Sequence, residues 1–233
     1  MIASPARRYA AELLGTFALV VVGPGAAMVA ARTQAFGNAA VAAAFGLAVT
    51  FIVAASGHLG GAHINPAVTI GFWSAGRFPG RDVAPYVAAQ CAGAIAASAL
   101  LGWLLGASGG FGTTIPAVPL AQAFVIEAGF TGMLAFVIMG VATDARTSRV
   151  IAPFVSGATV AAGALVTGPL AGGSFNPART LGPALLQGAW TAHWLYWLAP
   201  VSGAMLGMRL YDAVRNDRAG GVPIGTEGLL DDG

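Results

Sequence analysis

Asn65-Pro66-Ala67-Val68-Thr69-Ile70-Gly71 returns 111 residues later as Asn176-Pro177-Ala178-Arg179-Thr180-Leu181-Gly182, with five of seven positions identical. Self-similarity at so long an interval marks an internal duplication. Each copy sets Asn, a favoured helix N-cap, before Pro, which suits the first helical position because its missing N–H would have no partner there. Both copies lie in strongly apolar sequence. A helix that begins in membrane-like sequence breaks the backbone at a depth where irregular chain must be buried in protein or line a water-filled cavity.

The chain around the two copies is 57% hydrophobic and 9% charged, whereas soluble domains carry about 25% charged residues. This excludes an ordinary soluble enzyme and predicts an all-α, multi-span membrane protein. The apolar runs suit helices crossing a core of about 30 Å, which takes about 20 residues. They are too long and too weakly alternating for barrel strands. No cleavable signal is expected, because the first apolar run reads as a span. The charges are too few and scattered for a nucleic-acid face. The single cysteine, Cys91, forbids an intrachain disulfide and reads as a small buried helix residue.

Six spans are predicted, about Tyr9–Ala31, Ala39–Ser56, Val83–Leu105, Leu120–Ala142, Val150–Thr167 and Trp194–Tyr211. Two short apolar segments, Pro66–Ala75 and Pro177–Leu186, follow the Asn-Pro-Ala triplets. Each would make a helix of about 15 Å, half a membrane. The expected organisation is a first repeat over 1–115, a second over 116–215, and a disordered cytoplasmic tail over 216–233. All eleven basic residues are Arg. Nine of them fall on one side of the six-span topology and only Arg32 in an outer loop, so the positive-inside rule puts both termini in the cytoplasm. Three full spans per repeat make the second repeat inverted. The two half-helices then enter from opposite faces and meet near the midplane.

Asn65 and Asn176 are the first candidates for function. An Asn oxygen can cap its helix while its amide donates to a passing solute. Two half-helix N-termini present partial positive charge at one place, which admits a neutral hydrogen-bonding molecule and opposes a cation. Glu12 and Glu127 are approximate repeat mates inside the spans. They read either as a proton relay or as clasps that accept backbone N–H groups of the re-entrant loops; two symmetric acids for two symmetric loops favour the clasps. Arg179 breaks the symmetry, since Val68 is its mate. It stands one helical turn after Asn176, where it can face the same lumen, repel cations and donate to neutral oxygens. His58 and His63 are expected to brace the first loop. No His, Asp, Glu and Cys spacing predicts a metal site, and no cofactor motif or nucleophile arrangement is present.

These residues resemble the aquaporin, or major intrinsic protein, family from about Tyr9 to Arg209. The resemblance rests on both triplets, on Gly57-His58-x-x-Gly61-x-His63-x-Asn65-Pro66-Ala67-Val68-Thr69, on Ser174-x-Asn176-Pro177-Ala178-Arg179 and on the two Glu. It implies six spans plus two re-entrant half-helices in a right-handed bundle, a passive channel, one pore per protomer and a homotetramer in the bilayer. It also implies an outer constriction at Phe45, Ala164, Gly173 and Arg179. Phe45 and Arg179 match the water-channel pattern. Ala164 stands where strict water channels carry His, and Gly173 where they carry a small polar residue or Cys. Thr180 replaces the Asp of glycerol facilitators, and Tyr196-Trp197 resembles the water-channel branch. The expectation is a channel for water and small uncharged solutes (glycerol, ammonia, hydrogen peroxide or neutral metalloid hydroxides) that excludes protons and ions. The alternatives are a strict water channel and a proton-coupled secondary transporter. The Lys-free, Ala-rich composition points to a bacterial inner membrane.

Overall fold

The computed structural model describes residues 4–215. The tail 216–233, expected to be disordered, lies outside the described residues. Eight α-helices follow in order: α1 Pro5–Thr33, α2 Asn38–Gly60, α3 Pro66–Ser74, α4 Gly80–Leu105, α5 Leu120–Thr143, α6 Ala152–Ala171, α7 Pro177–Gln187 and α8 Leu195–Val214. α1, α2, α4, α5 and α6 are long and apolar enough to span a membrane. α8, with 20 residues, is the sixth span, its apolar character diluted by Arg209 and Asp212 in the last turns. α3 and α7 are the two half-length helices.

Contacts at the helix ends fix the topology. On one face Arg8, near the start of α1, pairs with Asp82 at the start of α4 at 3.0 Å. Arg77, before α4, pairs with Asp212 at the end of α8 at 3.0 Å. There too Tyr211 donates to Asp144, just after α5, at 2.7 Å. On the other face Arg32, ending α1, donates to Leu105 O at the end of α4, and Ala117 N, before α5, donates to Leu170 O at the end of α6. α1 and α5 therefore run in opposite directions, and so do the two halves they begin. The half-helices are exchanged: α3 of the first half packs on α8, and α7 of the second packs on α4.

Small residues bring the helices close. A Cβ on Gly93 of α4 would collide with the Leu13 carbonyl of α1, and a Cβ on Gly203 of α8 would collide with the Ala128 carbonyl of α5. Large apolar residues such as Trp103, Val125 and Leu206 instead point outward, which water would disfavour over so wide a surface but lipid does not.

Several helices outrun their sequence-based limits. α1 starts at Pro5 because the Ser4 side chain caps Arg7 N. α2 continues to Gly60, where Gly61 takes the left-handed C-cap with φ 92°. α6 runs through Pro169 to Ala171 rather than ending at Thr167. Proline removes the N–H that Leu165 O would accept. Asn38, at the start of α2, supplies the missing donor at 2.9 Å, so the helix survives its proline.

Candidate functional site

The chain between α2 and α3 and that between α6 and α7 have matched backbones. Gly61, Ala62 and Ile64 have φ of 92°, 47° and 45°; Gly172, Gly173 and Phe175 have 90°, 57° and 54°. Left-handed values are costly for residues with a Cβ, above all for a β-branched one such as Ile64. What holds them is a carboxylate under each loop. Glu12 accepts from His63 N at 2.7 Å and Ile64 N at 2.6 Å. Glu127 accepts from Ser174 N and Phe175 N, both at 2.8 Å. Both acids are fully buried.

The two Asn side chains then join the loops reciprocally. Asn65 Oδ1 accepts from Ala67 N at 2.8 Å, and Asn65 Nδ2 donates to Phe175 O at 2.7 Å. Asn176 Oδ1 accepts from Ala178 N at 3.0 Å and Arg179 N at 3.2 Å, while Asn176 Nδ2 donates to Ile64 O at 2.8 Å. The N-termini of α3 and α7 thus meet. An Asn amide carries two N–H groups. One of each is taken by the opposite loop, and one remains.

Each loop is braced from behind by polar side chains, differently in the two halves. Thr69 donates to Asn65 O at 3.0 Å and faces His63 Nδ1 at 3.1 Å. Gln90 Nε2 reaches both Thr69 Oγ1 at 2.9 Å and Glu12 Oε2 at 2.7 Å. Since Thr69 spends its hydrogen on Asn65, His63 carries its proton on Nδ1. The His63 ring packs among Phe72, Phe78 and Tyr86, with centroids 4.9, 4.7 and 5.2 Å away. His58 lies exposed on the last turn of α2. In the second half Thr180 contacts Ser174 Oγ at 2.6 Å and Thr114 Oγ1 at 2.9 Å. Tyr86 and Tyr196 make equivalent bonds, to Gly60 O and Ala171 O, both 2.8 Å.

Arg179 lies in the first turn of α7 and is buried. Its Nη1 donates to Gly112 O at 2.8 Å. Its guanidinium carbon sits 5.0 Å from the centroid of the Phe45 ring, a cation–π distance. Phe45 itself rests on α1, where a Cβ at Gly23 would strike its ring. Ala164 is buried in α6. Its neighbour Gly163 is turned away, toward Phe175 and Phe130. Gly173 lies over the next turn of α6, where a Cβ would come within 3.2 Å of the Gly168 Cα and Thr167 Oγ1. Arg179 and Phe45 are thus in direct contact, while Ala164 lies within α6 and Gly173 packs against the Thr167–Gly168 turn of that helix. Among the described residues no three His, Cys, Asp or Glu side chains gather into a metal-binding group.

Gln90, Thr114 and Gly112 belong to this site without standing out in the sequence. Gln90 carries a legible signal, a polar residue in an apolar run. The other two act through partners distant in sequence.

Six helices across and two half-helices joined tip to tip define a membrane channel rather than a catalytic pocket. The chain matches the model of the major intrinsic protein family over residues 2–211, and it belongs to that family, whose members are channels and not enzymes. It is 44% identical over 212 residues to Aquaporin NIP1-3 of Oryza sativa subsp. japonica, covering 90% of this chain and 74% of that protein. It is 41% identical over 229 residues to Aquaporin Z of Rhodopseudomonas palustris, covering 91% and 95%. The X-ray structure of the aquaglyceroporin from Plasmodium falciparum superposes with a TM-score of 0.83 at 28% identity, covering 91% of this chain and 97% of that one.

Proposed function

We propose that this channel passes water together with small uncharged solutes such as glycerol, ammonia, hydrogen peroxide or neutral metalloid hydroxides, and rejects protons and ions. The observation that carries the reading is the junction of Asn65 and Asn176, where two helix N-termini meet and one N–H of each amide is left for a passing oxygen. The paired N-terminal dipoles and the Arg179 guanidinium all oppose a cation there. Ala164 and Gly173 supply no bulk beside Phe45 and Arg179, which favours solutes larger than water; the likeness to a protein named aquaglyceroporin supports the same reading.

A strict water channel is the second reading, favoured by the Phe45–Arg179 pair and by the likeness to Aquaporin Z. A proton-coupled transporter is disfavoured, because the oxygens of Glu12 and Glu127 are occupied by backbone amides. We place both termini in the cytoplasm of a bacterial inner membrane, with the arginine-rich face inward. We divide the chain into repeats at 115/116 and assemble it as a homotetramer. Stopped-flow swelling of proteoliposomes under water, glycerol and urea gradients tests the solute reading; permeation by water alone would overturn it. Saturable, pH-coupled uptake would instead establish a transporter.

A further inference from the structure

We propose that Phe111, in the connection between α4 and α5, is a positioning residue that sets the Arg179 guanidinium and through it the balance of solute to water. The inference rests on the reading above that Arg179 constricts the pore.

Residues Gly109, Gly110, Phe111 and Gly112 have φ of 57°, 56°, 57° and 67°, a left-handed turn. Glycine suits every position of such a turn, and a bulky side chain is an outlier there. Three positions are glycine and one keeps a ring. The ring fills a notch on α4, where a Cβ at Gly102 would lie 2.7 Å from Phe111 Cε1. On its other side the turn lies on α1, where a Cβ at Gly112 would be 3.0 Å from Pro24 Cα. The Gly112 carbonyl is therefore clamped between α1 and α4 and aimed at Arg179 Nη1, 2.8 Å away. Among the described residues Arg179 Nε has no hydrogen-bond partner, so the Gly112 carbonyl is the guanidinium's polar anchor and the Phe45 ring its apolar one.

The two halves differ in what holds the loop. In the first half Gln90, on α4, holds Thr69. The tyrosines Tyr86 and Tyr196 make equivalent bonds 110 residues apart. The same interval carries Gln90 onto Pro200, which has no donor to offer. Thr180 is held by Thr114 instead, two residues beyond Gly112 in the same connection. The second loop and its arginine thus borrow their support from a segment anchored by the Phe111 ring.

The test is the glycerol-to-water permeability ratio of the full chain in proteoliposomes, for wild type, Phe111→Ala, Phe111→Leu, Arg179→Ala and the double variant Phe111→Ala/Arg179→Ala. Phe111→Ala should raise the ratio by about two- to tenfold, the factor that one intramolecular hydrogen bond supports. Phe111→Leu, which still partly fills the notch, should shift it the same way by less and carries the test alone if the alanine variant does not reconstitute. In the Arg179→Ala background Phe111→Ala should add nothing. An unchanged ratio in the Phe111 variants while Arg179→Ala alters it overturns the proposal. So does an equal Phe111→Ala effect with and without Arg179. A ratio untouched by Arg179→Ala overturns the constriction reading itself.

Discussion

Gly46 and Gly157 face each other where α2 crosses α6, and they stand 111 residues apart, the interval that separates Asn65 from Asn176. A Cβ on Gly46 would lie 2.6 Å from Gly157 O, and a Cβ on Gly157 would collide with Gly46 O. The axis that relates the two halves passes between them. Repeat mates that touch across that axis leave no slack, because any side chain at one of them pushes on the backbone of the other. Gly157→Val should therefore separate the two helices and cost about 1–3 kcal/mol, as overpacking of a tight core does. Thermal melting followed by size exclusion in detergent would read it; an unchanged midpoint would refute the tight crossing.

Glu127→Gln keeps the size of the side chain but turns one acceptor into a donor against a backbone N–H. Either Ser174 N or Phe175 N then loses its partner, at about 1–3 kcal/mol for a buried group. The variant should melt earlier and lose water flux as the loop at Phe175 relaxes. If Glu127 were a proton carrier, the same variant would stay stable and lose only pH-coupled transport, so the two outcomes separate the roles.

Ala164→His adds volume and a donor on the α6 side of Arg179 and Phe45. Glycerol flux should fall on the order of tenfold relative to water, corresponding to ~1.4 kcal/mol of added barrier. Equal losses for water and glycerol would place Ala164 outside the constriction.

His193 lies in the connection between α7 and α8 and accepts the Trp197 indole N–H at Nε2, 3.1 Å. Burial holds its pKa below the ordinary value of 6.5. The folded state therefore binds this proton less readily than the unfolded chain. The stability it contributes is present above about pH 6.5 and is lost as pH falls below that value toward the lowered folded pKa. Melting curves between about pH 7.5 and 5 should show a decline that His193→Gln abolishes; a decline that survives the substitution would assign it elsewhere.

What was legible in the sequence is chemistry that acts locally. Asn-Pro-Ala announces a helix start because cap and proline act within one turn, and Glu12 and Glu127 stand out as acids in apolar runs. Arg179 was conspicuous as a break in the repeat. What escaped is chemistry whose partner is remote. Nothing near Pro169 says that Asn38 will take up the carbonyl it frees, so the sequence alone ends this span at Thr167, four residues short of Ala171. Nothing near Arg179 says that the Gly112 carbonyl will receive it. Gln90 gives the same signal as Glu12, a polar group among apolar neighbours, but its two targets are set by tertiary structure alone.

The reciprocal Asn bonds also carry a consequence in time. Glu12 and Gln90 can grip the first re-entrant loop as soon as its own half is made. Asn65, however, donates to Phe175 O, and Ile64 O receives Asn176. The last of these partners is synthesised 111 residues after Asn65. At roughly 5–20 residues per second, the first half waits on the order of ten seconds with an unpaired carbonyl and amide at membrane depth. The bilayer offers them no water, so the half-built channel is held open to its own completion.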